Sequence, residues 1–161
     1  MIECLKWGTK AMRLAGNLYL PQWPLEDNAS YQHRLCTSFL FNAFAQTIES
    51  LSGRPFSEAV NINDDVPQQI RDELDDVDLE GRSLHNFAHD VLRAGLSYGH
   101  THMLVDFPST TGAATQADLQ KSGARPYIQH IFPQQVLYWN AERINGVMQL
   151  TELRIWELVS G

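Results

Sequence analysis

The sequence has few cysteines, and this limits its redox and metal chemistry. Its two cysteines, Cys4 and Cys36, belong to no CxxC motif, and neither clusters with histidine at zinc-ligand spacing. We therefore expect both to be reduced, small apolar residues of a cytosolic protein rather than a disulfide pair or a zinc site.

Positive charge is also scarce. Lys and Arg number 12 against 19 Asp and Glu, so the net charge is −7, and the basic residues form no run. Proteins that grip duplex DNA by neutralising phosphates show a basic face. The charge balance therefore disfavours nonspecific DNA gripping and binding to an anionic membrane. No stretch approaches the ~20 apolar residues of a membrane span, and polar residues interrupt the N-terminus too often for a signal peptide.

Nucleotide-binding and hydrolase motifs are missing as well. The chain has no GxxxxGKS/T, no GxGxxG and no GxSxG, so we expect no cofactor. What is present is typical of a globular protein: 161 residues, 43% hydrophobic and 19% charged. This length predicts a single domain over residues 1–161.

Apolar spacing predicts helices before strands. A short helix ends near Gly16, and three more helices cover residues 30–52, 66–79 and 83–98, with Ser30 and Ser83 as N-caps. The sequence then predicts strands at 101–107 and 125–132, a turn of helix with a buried Trp139, and a hairpin at Asn145-Gly146. Within the first strand we expect Met103, Leu104 and Val105 to be buried. Residues 109–124 are small and polar and predict a flexible loop.

This order of elements predicts an α+β fold, with N-terminal helices packed on a small, mainly antiparallel C-terminal sheet. The last predicted strand runs to the end of the sequence without a stop signal. The chain is therefore expected to be a fragment of a longer protein.

Four of the six histidines lie within residues 84–108. His85 and His89 are one helical turn apart, while His100 and His102 share a strand face. An HxxxH pair can bind zinc, but Asn86 stands where HExxH proteases carry their catalytic Glu, and a carboxamide cannot act as the general base. The residues favour surface or boundary histidines and no metal site, with a four-histidine metal-dependent hydrolase as the alternative.

Two acidic features are also candidate sites. Asp106 follows a strand, a common catalytic position, but it is equally suited to a turn before Pro108, and we favour the structural role. The acidic run 72–80 lacks the ligand order of an EF-hand loop, so a solvated helix face is favoured over a cation site. No catalytic residue is therefore predicted.

The order of several segments resembles the N-terminal part of tailed-phage portal proteins, in a portal-like family of phages and prophages. One element is a YLP…E…Y..R pattern made by Tyr19-Leu20-Pro21, Glu26, Tyr31 and Arg34. The others are the segments 42–56, 78–83, 96–108 and 125–140.

The resemblance implies a structural virion protein rather than an enzyme. Portal proteins form a ring, usually of twelve subunits, at one capsid vertex, and DNA passes through its channel without sequence-specific binding. The implied partners are other copies of the chain, the terminase, scaffold and capsid proteins, and head-completion proteins. The implied location is the virion, with host cytoplasm during assembly, and the matching segment would belong to the outer wing of the ring.

Overall fold

A computed structural model describes residues 1–108 and 124–157. Its helices precede its strands, so the α+β prediction is confirmed. The described residues contain five α-helices and four strands: α1 (Ile2–Ala15), α2 (Asn28–Thr37), α3 (Ala43–Gly53), α4 (Gln68–Glu73), α5 (Leu84–Tyr98), β1 (His102–Asp106), β2 (Tyr127–Ile131), β3 (Val136–Ile144) and β4 (Val147–Ile155). Nearly all of the loop predicted at 109–124 lies outside the described residues. No described helix has the length and apolar character required to cross a membrane.

The chain divides into two compact units, Met1–Ser57 and the residues from Glu58 onward. In the first unit, α1 bends at Gly8, whose φ of 70° is outside the helical region. A Cβ at this position would lie 3.2 Å from Nδ2 of Asn42, and the same Nδ2 donates to the carbonyl oxygen of Leu5. The bend therefore allows α1 to approach the start of α3 closely.

The prediction of a single helix over residues 30–52 is wrong, because the helical conformation is interrupted between α2 and α3. Contacts from α1 hold the connecting segment 38–42. Arg13 donates from Nε and Nη2 to the carbonyl oxygen of Ser38 (2.9 and 2.7 Å), and the Leu40 N–H donates to the Thr9 hydroxyl (3.1 Å). These long-range bonds replace the intrahelical bonds that a continuous helix would form.

The N-cap predicted at Ser30 is also corrected. Asp27 caps α2 by accepting from the Ser30 backbone N–H (3.0 Å) and from its hydroxyl (2.6 Å). Asn42 caps α3 by accepting from the Ala45 N–H (3.0 Å). The phenylalanines on either side of Leu40 fall within the helix predicted for residues 30–52. They lie in the connection, where Phe39 is 77% exposed and Phe41 is 70% exposed.

In the second unit, α5 begins and ends as the sequence predicts. The Ser83 hydroxyl accepts from the Asn86 N–H (3.4 Å), and Gly99 adopts the left-handed conformation with φ 81°. The helix predicted over 66–79 is shorter than expected. It ends at Glu73, so residues 74–80, most of the acidic run, form a loop.

Two separate antiparallel pairs replace the one small sheet that was expected. β1 pairs with β2, with His102 opposite Ile131 and Asp106 opposite Tyr127. β3 and β4 form the predicted hairpin. Asn145 and Gly146 turn with φ of 51° and 83°, the signature of a type I′ turn.

The apolar core of the second unit is small. Its buried side chains are Val77, Phe87, Ala94 and Ile131, and Ile131 is only 1% exposed. The Val77 carbonyl accepts from the Ile128 N–H (2.8 Å), which ties the acidic loop to β2. Helix α5, this loop and the first strand pair therefore share one core.

Candidate functional site

The histidine segment combines the end of α5 with the start of β1. His85 and His89 are half-buried on α5, and His100 and His102 are exposed at the strand. The rings of His100 and His102 meet edge to face, with centroids 5.4 Å apart. His89 lies beside an acid instead, with Nδ1 4.0 Å from Oδ1 of Asp90. The four histidines thus have boundary and surface positions.

The structure does not bring these histidines together as a metal centre. Within residues 1–108 and 124–157, no three His, Cys, Asp or Glu side chains are placed to hold one ion. The hydrolase alternative gains no geometric support from these residues and stays a hypothesis. Elemental analysis of protein purified without chelator tests it, since that hypothesis requires stoichiometric metal.

Asp106 has the contacts of a strand-end residue. Its Oδ1 accepts from the Phe107 N–H (2.7 Å), and its Oδ2 accepts from the Tyr127 hydroxyl across the strand pair (3.1 Å). The hydrogen bond to this carboxylate is the main reason that the pKa of Tyr127 is raised. The carboxylate therefore joins the ends of β1 and β2.

A fifth histidine, His130, makes a close polar contact in this region, and the sequence did not single it out. Its Nε2 lies 2.7 Å from the Thr101 hydroxyl, and its ring packs 4.4 Å from that of Phe132, centroid to centroid. Burial lowers its pKa, while Asp90 raises it and Arg82 lowers it by smaller amounts. A sequence signal for His130 was available. Side chains alternate between the two faces of a strand, which puts His130 on the same face as Ile128 and Phe132, with Ile131 on the other face.

The acidic run has two kinds of carboxylate. Asp76 and Asp78 are structural. The Asp76 carboxylate pairs with Arg125 (3.0 Å) and accepts from the Gly81 N–H (2.7 Å), and Asp78 pairs with Arg82 (3.2 Å). Three other acids are exposed on the outer surface: Asp72, Asp75 and Glu80.

An apolar groove of about 430 Å³ lies between the two strand pairs. Leu104 and Ile131 line one side, and Trp139, Leu150 and Leu153 line the other. Trp139 is 64% exposed, so its predicted burial is wrong. The same holds for two residues of β1, since Met103 is 62% exposed and Val105 is 68% exposed. The described residues therefore leave Trp139, Met103 and Val105 uncovered.

Four residues of the YLP…E…Y..R pattern, Pro21, Glu26, Tyr31 and Arg34, form one cluster in the first unit. Arg34 donates from Nε and Nη2 to the two carboxylate oxygens of Glu26 (2.8 and 2.7 Å) and from Nη2 to the Pro21 carbonyl (2.9 Å). Its guanidinium also lies 5.4 Å from the ring centroids of Trp23 and Tyr31. This cluster fixes the chain between α1 and α2.

No protein-family model and no curated protein matches this chain. A proposal about function therefore depends on the sequence resemblance and on the exposed surfaces.

Proposed function

We propose that this chain is part of a ring-forming structural protein of the phage portal type, acting at the capsid vertex through which DNA is packaged and ejected. In this role the chain belongs to the outer wing and performs no catalysis. Its partners are further copies of itself, the terminase, and scaffold, capsid and head-completion proteins. The observation that carries the proposal is the amount of apolar surface left exposed.

Among the described residues, six apolar side chains are buried and 26 large ones are exposed. Leu25 is fully exposed at 100% and Trp7 is 74% exposed. A soluble monomer of this size buries a larger core, and extensive exposed apolar patches mark protein interfaces. A subunit whose surfaces are covered by neighbours fits this pattern.

The resemblance provides the second line of support. The segments that carry it include the end of α5 with β1, the strand β2 with the turn that follows, and the Glu26–Arg34 cluster. They supply hydrogen bonds, caps and core contacts. Such residues suit a scaffold whose task is assembly.

Charge provides the third line. With a net charge of −7, the chain would release few counterions on meeting DNA. A subunit of a ring through which DNA passes benefits from this property, because it does not hold the DNA by its phosphates.

The test is the assembly state of the full-length protein as it is encoded. Native mass spectrometry and negative-stain images should show closed rings, with a mass near twelve subunits. A protein that stays monomeric at high concentration would overturn the proposal.

A further inference from the structure

We propose that a basic, apolar surface on α1 of one copy docks on the acidic surface 64–80 of a neighbouring copy. The inference rests on the proposed ring, because it names the contact that joins adjacent subunits. Its two halves lie in different units of the chain.

The first half is a surface that α1 does not use for its own packing. Leu14 is 80% exposed and Trp7 is 74% exposed. Lys10 is also exposed and lies one helical turn before Leu14. The contacts of α1 with its own unit come instead from other residues, such as Thr9 and Arg13. We call Lys10 and Leu14, together with the exposed Trp7 on the other side of the Gly8 bend, the α1 surface.

This end of the chain is basic within an acidic protein. Residues 1–18 carry three basic side chains against one acidic, whereas the whole chain has 12 against 19. Lys6 pairs with Glu3 (3.7 Å) and Arg13 binds the Ser38 carbonyl, so Lys10 is the exposed cation of this surface. Apolar anchors with a charged rim are the usual layout of a protein interface. The exposed Lys10 favours an acidic partner.

The second half is acidic and also has exposed apolar side chains. Residues 64–80 carry eight acidic side chains against one basic. Asp75 and Glu80 are exposed, and in the same segment Ile70 is 48% and Leu79 is 42% exposed. We call this segment the acidic surface. It has the opposite charge to the α1 surface and offers apolar side chains to match.

Opposite charges on two such surfaces steer association and fix its register. Because the two surfaces are different, the contact is heterologous: each copy offers one surface to each neighbour. Heterologous contacts generate closed rings when the rotation between subunits closes. A second copy of this chain is therefore the partner that fits both the charges and the proposed assembly.

Charge reversal in the full-length protein tests the contact. Lys10→Glu makes both surfaces acidic, whereas Asp75→Lys with Glu80→Lys reverses the two exposed carboxylates proposed to face Lys10 of the neighbouring copy. Each variant alone should need about tenfold or more protein for half-assembly by mass photometry, since like charges now face each other. Circular dichroism should match the wild type, because all three positions are exposed.

Mixing the two variants gives the decisive result. If the contact joins neighbouring copies, an equimolar mixture restores assembly, because every interface in an alternating ring again pairs opposite charges. If the α1 surface meets the acidic surface of its own chain, mixing restores nothing, and the inference is wrong. Arg143→Glu and Glu142→Lys, at exposed positions of β3, are the matched controls and should assemble normally.

Two further outcomes separate the inference from the proposed function. Rings that form equally well with Lys10→Glu would overturn the inference and leave the portal proposal intact. A wild-type protein that forms no oligomer would end both. Vesicles of anionic lipid provide a third arm: binding that depends on Lys10, with assembly unchanged, would assign the α1 surface to a membrane instead.

Discussion

The Thr101 hydroxyl and Nε2 of His130 lie 2.7 Å apart, between the end of α5 and strand β2. The hydroxyl also donates to the carbonyl oxygen of Ile131 (3.3 Å). Thr101 precedes β1, so this small network connects the first strand to the second beside the buried Ile131. It lies where the histidine-rich segment meets the core.

His130 should make the second unit sensitive to mild acid. Burial lowers its pKa below the usual 6.5, so folding favours the neutral ring. The resulting stability is complete above pH 6.5 and is lost as pH falls toward the lower folded-state pKa. Urea unfolding between pH 7.5 and pH 5 should show this loss, and His130→Gln should reduce it. An unchanged pH dependence in that variant would contradict the assignment.

Ile131 should be essential to the core of the second unit. It is 1% exposed, so Ile131→Ala removes packed atoms and leaves a cavity, costing about 2–5 kcal/mol of unfolding free energy. Val105→Ala is the control on the paired strand, at a side chain that is 68% exposed. Its effect should stay within about 0.5 kcal/mol. Equal losses from the two variants, measured by denaturant unfolding, would contradict the core described here.

Gly8 should resist substitution because of its backbone. Its φ of 70° is costly for a residue with a side chain, and a Cβ would lie 3.2 Å from the Asn42 amide. Gly8→Ala should therefore destabilise the first unit by about 1–3 kcal/mol, seen as faster amide exchange in α1 and α3. Gly53→Ala is the matched control, since no atom lies within 4 Å of the added Cβ. If the amides of α1 and α3 exchange as slowly in Gly8→Ala as in the wild type, the bend is not required for the stability of the first unit.

The Glu26–Arg34 pair should respond to stronger acid than His130. The hydrogen bond from Arg34 is the main reason that the pKa of Glu26 lies below 4.5. Its contribution is therefore present above pH 4.5 and is lost as pH falls through the folded-state value. Glu26→Gln should speed amide exchange in α2 at pH 7 and weaken its acid dependence. Glu58→Gln, at an exposed position, should change neither.

Local signals predicted the elements that depend on local residues. Ser83 and Gly99 identify both ends of α5, and Asn145-Gly146 identifies the hairpin, because caps and turns need particular residues at particular positions. The break between α2 and α3 was missed, since it depends on hydrogen bonds from Arg13 and Thr9 that are distant in sequence.

Burial was the least predictable property. Alternation identifies the apolar face of a strand but not whether another layer covers it, so Trp139 and Met103 were wrongly expected in the core. The apolar side chains used for the proposed contact are a second example of this difficulty. They are apolar residues that the chain leaves exposed, and only the structure distinguishes them from core.

The mass of the assembled full-length protein tests the central proposal most directly. Mass photometry from nanomolar to micromolar concentration should show one dominant ring species, near twelve subunits, that closes without smaller stable intermediates. A single monomer peak across that whole range would contradict the account.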